Sequence, residues 1–139
     1  MRQLKDGEYR SGFERRFASY LVSQGICFDY ERDKIPYIVP PKERKYLVDF
    51  TTCGIYIETK GRLTSADRKK YLQVKESNPD IDLRFVFQKD NRIYKGSKTY
   101  YSDWAEKNGF KYHVGCSLPD EWLEEIKQAI TDGKHWRRP

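Results

Sequence analysis

The sequence predicts an α/β domain in which one mixed β-sheet is flanked by helices. Three observations carry that reading. Runs of β-branched and aromatic residues gather in the middle of the chain, segments with helical spacing of apolar residues stand around them, and neither an internal repeat nor a low-complexity linker divides the 139 residues. That length suits one domain. Charged residues make up 35% of the chain and hydrophobic ones 37%, yet eleven Tyr, seven Phe and three Trp are enough to build a core, so full disorder is excluded.

Residues 1–10 are polar and expected to be loose, and 11–131 are expected to form the domain. "SGFERRFASYLVSQG" reads as a helix: Phe13, Phe17, Tyr20 and Leu21 recur at helical spacing, Ser11 caps the start and Gly25 stops the end. "ICFDYE" alternates as a strand. The apolar run Ile35 to Val39 is bounded by prolines and suits an edge or connecting strand. "KYLVDFTT" and "IYIETKG" read as two strands. "TSADRKKYLQVKESNP" is a helix with a capping box from Thr64 to Asp67, closed by Pro79. "IDLRFVFQ" is a strong strand, "RIYKGS" a short strand or loop, "SDWAEKNG" a short helix stopped by Gly109, and "KYHV" a last strand. "PDEWLEEIKQAI" is a helix with Trp122, Ile126 and Ile130 on one face. Residues 132–139 form a basic tail.

Lys plus Arg is 27 against 21 Asp plus Glu, a formal charge of +6 with a pI near 9.2, which favours a polyanionic partner, though only weakly. Cys27, Cys53 and Cys116 are scattered, as in a reducing compartment, and His113 with Cys116 lacks the second pair that a zinc site needs. There is no apolar leader and no stretch long enough to span a membrane, so a cytoplasmic protein is expected.

The sharpest signal is "VDFTTCGIYIETKG", residues 48 to 61. With Cys53-Gly54 as a two-residue turn, Asp49 falls directly opposite Glu58. Val48, Phe50, Ile55 and Ile57 then share one face, the core, while Leu47, Asp49, Tyr56, Glu58 and Lys60 share the other. Cys is a poor residue for positive φ, so a longer turn and a shifted register stay open. Facing carboxylates repel, and a divalent cation relieves that repulsion; hard oxygen ligands suit Mg²⁺ or Mn²⁺. Lys60 beside such a cation can orient an attacking water or help deprotonate it. An Asp, eight residues, a Glu, one residue and a Lys is the spacing of the PD-(D/E)xK nuclease superfamily. A surface hairpin with a Glu–Lys pair on its wet face is the competing reading of the motif alone.

More than the motif matches. With "RSGFE", "IPYIVP", "VDF", "ETKG", "DRKKYL", "RFVF", "YKGS" and "LPDEW" in that order, the chain resembles the endonuclease I family of T-seven-like phages, the Holliday-junction-resolving enzymes. One departure is Val48 where that family typically has Pro. The resemblance implies a restriction-endonuclease-like core, and a structure-selective endodeoxyribonuclease that hydrolyses phosphodiesters at four-way and other branched DNA junctions. It implies Glu14 as a further metal-binding acid, Asp49, Glu58 and the Thr59 carbonyl as metal ligands, and Lys60 serving the water. It further implies an intertwined, domain-swapped homodimer in which residues 35–41 carry the first helix onto the partner, and a place of action in the cytoplasm of a host cell. Arg62, Arg68, Lys69, Lys70, Lys95 and Lys98 follow the motif and are candidates for DNA phosphates, with Arg62 and the Lys95–Lys98 loop ranked first. Tyr100, Tyr101 and Trp104 can stack on bases, but their helical spacing fits a core better. The alternatives are a PD-(D/E)xK nuclease with general or nicking activity and a non-catalytic DNA-binding protein of the same fold.

Overall fold

The computed structural model describes residues 8–39 and 42–134. The expectations for residues 1–7, for Pro40 and Pro41 of the bridging segment and for tail residues 135–139 lie outside them.

The first helix, α1 (Gly12–Ser23), starts where Ser11 accepts the Glu14 N–H, and it buries Phe13, Phe17 and Leu21. Five strands form the main sheet in the order β1 (Asp29–Tyr30), β4 (Phe50–Thr52), β5 (Ile55–Lys60), β6 (Leu83–Phe87) and β7 (Lys111–Val114). The β1–β4 and β4–β5 pairs are antiparallel, while β5–β6 and β6–β7 are parallel. Parallel neighbours need crossover connections. Helix α2 (Ser65–Ser77) links β5 to β6, and α3 (Tyr101–Lys107) links β6 to β7. Two crossovers stepping the same way along a sheet, each of the usual right hand, put both helices on one face. Thr64 and Asp67 close the expected capping box at the start of α2. The last helix, α4 (Asp120–Thr131), buries Trp122 and Ile126 on the opposite face, beside α1.

Both faces of the sheet are therefore covered, by two separate cores. One gathers Phe13, Phe17, Leu21, Phe50, Ile55, Ile57, Val86 and Trp122. The other gathers Tyr46, Val48, Tyr71, Phe85, Phe87, Tyr101 and Trp104, with rings in edge-to-face contact such as Tyr71–Phe85 at 4.9 Å.

Two expectations need correction. The segment read as one strand, residues 45 to 52, is two: β3 (Lys42–Leu47) turns away from β4 at Val48 and Asp49 and pairs with β2 (Lys34–Val39) in a separate two-stranded ribbon. Val48 therefore leaves the face of Phe50 and packs in the opposite core, because the strict alternation of a strand ends where the ladder ends. Of "ICFDYE", only Asp29 and Tyr30 are laddered, while Ile26 and Phe28 anchor the loop by burial. Tyr101 and Trp104, by contrast, lie in the core, as their helical spacing favours.

Candidate active site

The hairpin that organises the site has the expected register. Phe50 pairs with Ile57, Thr51 with Tyr56 and Thr52 with Ile55, leaving Cys53-Gly54 as a two-residue turn. Both turn residues have positive φ, +53° at Cys53 and +79° at Gly54, as a type I′ connection requires. Cys53 thus adopts the left-handed conformation that its side chain disfavours, and the tight turn holds the register. Continuing the ladder by one residue brings Asp49 against Glu58, whose Oε2 lies 3.4 Å from the Asp49 N–H.

Neither acid is solvated: Asp49 is 1% and Glu58 4% exposed. Asp49 is held firmly on one side, its Oδ2 accepting the Thr59 N–H at 3.1 Å and the Thr59 hydroxyl at 3.0 Å. Burial, then the neighbouring charges of Glu58 and Glu14, push its carboxyl up to about 8, against the pull of the Thr59 N–H and Arg10. Burial likewise raises Glu58, against the hydroxyls of Tyr46 and Tyr71 and the charge of Lys60. The Tyr71 hydroxyl donates to Glu58 Oε1 at 2.9 Å, and that of Tyr46 to Oε2. Burial and the adjacent carboxylate keep both phenols well above their ordinary range, so they remain donors.

Lys60 lies two residues beyond Glu58, where β5 ends. Its ammonium is 3.4 Å from Asp67 Oδ2 and 5.7 Å above the Tyr71 ring. Burial alone would raise Asp67, but the Thr64 N–H and Lys60 outweigh it and hold the carboxyl below its usual range. The capping box of α2 thus also anchors the lysine.

Glu14 arrives from the other layer. It is 5% exposed on the first turn of α1 and accepts from the Tyr30 hydroxyl at 2.5 Å and the Arg10 N–H at 3.0 Å. Arg10 joins the two layers: its Nη2 is 2.7 Å from Asp49 Oδ1 and 3.3 Å from Glu14 Oε2, and its Nε is 2.9 Å from Glu31 Oε2. Burial opposes that charge, but Asp49, Glu14 and Glu31 more than offset the effect and hold Arg10 protonated. Glu31 sits at φ +49°, a strained value for its type, with its N–H on the Asp49 carbonyl at 3.1 Å.

These donors suit a hard divalent cation, since every one is oxygen and the acids repel one another. Among the described residues no three carboxylate, imidazole or thiolate groups already converge on one point. Arg10 occupies the gap between Asp49 and Glu14, and it fills that gap with positive charge. The residues therefore fit the cation chemically, with a guanidinium standing where a cation is attracted.

The basic candidates divide. Arg62, Arg68 and Lys95 line one open cleft of about 590 Å³, together with Arg92 and Tyr94. Arg68 is partly committed inside it, donating to the carbonyls of Leu63 at 3.1 Å and Ile93 at 3.2 Å, which clamps the 90–100 loop to α2. Lys70 lies over the Tyr46 and Tyr71 rings at 5.2 and 4.9 Å, behind Glu58. Lys69 and Lys98 are exposed and do not line the cleft.

Sequence reasoning did not single out Arg10, Glu31, Tyr46, Tyr71 or Arg92. Only Arg10 carried a local signal, its four-residue spacing from Glu14 across a helix start. The tyrosines reach Glu58 from a strand and a helix that no periodicity connects.

A mixed sheet that gathers buried, mutually repelling acids and a lysine at one strand end, beside a basic cleft, suits an enzyme acting on a phosphodiester. The sequence matches the phage endonuclease I family over residues 1–138, and the chain belongs to that family. Endonuclease I of Escherichia phage T7 is 41% identical over 128 residues, covering 91% of this chain and 85% of its own length. Endodeoxyribonuclease 1 of Enterobacteria phage T3 is 45% identical over 128 residues, covering 91% of this chain and 84% of its own.

Proposed function

We propose that this endonuclease is structure-selective, hydrolysing DNA at four-way and other branched junctions in the cytoplasm of a host cell with Mg²⁺ or Mn²⁺ as cofactor. The observation that carries the chemistry is the pair of buried carboxylates that the β4–β5 hairpin brings together, Asp49 just before β4 and Glu58 on β5, with Lys60 at the strand end. Asp49, Glu58 and the Thr59 carbonyl would hold the cation, with Glu14 at a second position, and the cation would supply charge neutralisation at the scissile phosphate and a lowered water pKa. Thr59 fixes the Asp49 carboxylate, and the Tyr46 and Tyr71 hydroxyls fix Glu58, so the acids are ordered before substrate arrives. Lys60, steered by Asp67, orients the attacking water at its ammonium. The water oxygen bonds to phosphorus in line with the departing O3′, and the P–O3′ bond breaks to leave a 5′-phosphate and a 3′-hydroxyl.

Resolution of a junction needs two opposed cuts, which a two-fold dimer supplies. The prolines of the sequence from Pro36 to Pro41 favour an extended connector, which supports exchange between chains. An exchanged dimer keeps the Glu14–Arg10–Asp49 contact but makes it between subunits. Refolding an inactive Glu14→Ala chain with an inactive Glu58→Ala chain should then restore nicking in the mixed dimer. No rescue, with mixed dimers shown by mass, removes the composite site.

The decisive assay is magnesium-dependent cleavage of a synthetic four-way junction beside a linear duplex of the same sequence. Preferential cutting of the junction is expected; equal cutting would leave a general nuclease. Affinity should fall steeply with salt, and Arg62→Ala should weaken junction binding by about fivefold, against less than about twofold for Lys98→Ala, which lies outside the cleft.

A further inference from the structure

Arg10 is the unexpected member of the site, and its geometry is not that of a mere surface ion pair. Asp49 has two oxygens: Thr59 takes Oδ2 with two hydrogen bonds, and Arg10 takes the other, Oδ1, at 2.7 Å. Glu14 has two oxygens: Tyr30 and the Arg10 N–H take Oε1, and the Arg10 guanidinium takes Oε2 at 3.3 Å. The guanidinium thus covers the carboxylate oxygens that the scaffold leaves open.

The partners differ in freedom. The side chains of Asp49 and Glu14 are 1% and 7% exposed, whereas that of Arg10 is 59% exposed. If the contact opens, the arginine moves and the acids stay. Its Nε contact to Glu31, at 2.9 Å, belongs to the same planar guanidinium as the Nη2 contacts, so the head leaves all three acids together by movement of its exposed aliphatic stem. One guanidinium faces three carboxylates, Asp49, Glu14 and Glu31, so the acids around Arg10 outnumber the single charge that holds them.

We propose that Arg10 is a displaceable internal counter-ion: its guanidinium holds Asp49 and Glu14 in the metal-free protein and must withdraw for a divalent cation to bind there. This rests on the metal-dependent reading above. Withdrawal lowers apparent metal affinity by the fraction of molecules in which Arg10 is out of the way, while protecting the apo site from self-repulsion. Arg10 is in this sense a positioning residue.

The test is calorimetric titration of Mn²⁺ into the DNA-free protein, with thermal melts of the metal-free state. Arg10→Gln removes both the charge and the contact. Arg10→Lys keeps the charge but lacks the planar fork that spans two carboxylates. Arg10→Gln should bind Mn²⁺ about tenfold tighter than the parent and melt at a lower temperature without metal, with Arg10→Lys intermediate in affinity. Unchanged or weaker binding in Arg10→Gln would overturn the proposal. So would tighter binding in Arg10→Gln with parental binding in Arg10→Lys, which would reduce the effect to charge at a distance. If the parent protein binds no Mn²⁺ at all, the metal-dependent reading fails first; if it binds, and Asp49→Asn does not, that reading stands whatever the arginine variants do.

Discussion

Two guanidiniums in this molecule each face several carboxylates, and they are built inside out from one another. At the active site the acids are buried and the arginine is exposed: Asp49 and Glu14 are 1% and 7% accessible, Arg10 59%. Under α4 the arginine is buried and the acids are exposed: Arg84 is 1% accessible, and its partners Asp82 and Glu125 are 41% and 49%. Arg84 is satisfied on every side, with Asp82 at 2.8 Å from both Nε and Nη2, Glu125 at 2.7 Å from Nη1, and the Trp122 ring 5.2 Å away. It pins α4 to β6. A buried arginine with solvated acids can keep its charge balanced by water and needs nothing more. Buried acids with a solvated arginine repel one another, and a cation would relieve that repulsion. The same pair of residue types therefore makes a rivet in one place and a receptive site in the other, according to which partner water can reach.

The largest effect should come from neutralising one acid on the receptive side. Asp49→Asn and Glu58→Gln should each lower single-turnover cleavage by at least about 10³-fold, roughly 4 kcal/mol of transition-state stabilisation. The metal-free melting temperature should hold or rise, because one of two repelling buried charges is gone. Cleavage within tenfold of the parent would move the chemistry elsewhere.

On the rivet side the effect should appear in stability instead. Arg84→Ala empties a buried site under Trp122 and should cost about 3 kcal/mol, or roughly 10 °C in Tm. Arg84→Met fills much of the volume and lets Asp82 and Glu125 rehydrate, so it should lose about half as much. Cleavage per folded molecule should be unchanged in both.

The two clusters should also respond to pH with opposite sign. Asp49 is raised to about 8 in the folded protein, so the metal-free fold takes up a proton that the unfolded chain releases near its ordinary pKa. Its contribution to stability is complete below that ordinary value and is lost as pH rises through about 8. Melts between pH 6 and 9 should show a falling Tm that Asp49→Asn flattens and that added Mn²⁺ reverses, since the metal binds the deprotonated acid. Glu125 is held below its usual range, chiefly by the Arg84 hydrogen bond. Its contribution is present above the ordinary carboxylate pKa and is lost as pH falls, so Glu125→Gln should flatten only the acid limb.

The smallest effects sharpen the contrast. Glu31→Gln and Glu125→Gln each remove an outer partner of a guanidinium, and each should cost less than about 1 kcal/mol near neutral pH. Only Glu31→Gln should alter Mn²⁺ affinity in titration, because only its arginine stands in a cation's path.

By itself the sequence determined the α/β class and most of the order of elements, and it offered the hairpin register the structure adopts while leaving a shift open. Those depend on neighbours in the chain: periodicity along each strand, the Thr64–Asp67 cap, and a turn of just two residues that places Asp49 against Glu58. It also placed Asp49, Glu58 and Lys60 together by spacing, and carried enough of the family's stretches to be recognised. It did not decide what lies over the face those residues share. A solvated hairpin and a buried site have the same alternation, and only the packing of α2 and the ribbon strand β3 over β5 made the face a buried one. Val48 changed cores because the chain left its ladder there. Tyr46 and Tyr71 reached Glu58, Arg10 reached Asp49, and Arg68 turned to the Ile93 carbonyl, across separations of 12, 13, 39 and 25 residues. Alternation reports which side chains share a face; burial and charge pairing depend on which distant element arrives to cover it, and the tertiary fold alone settles that.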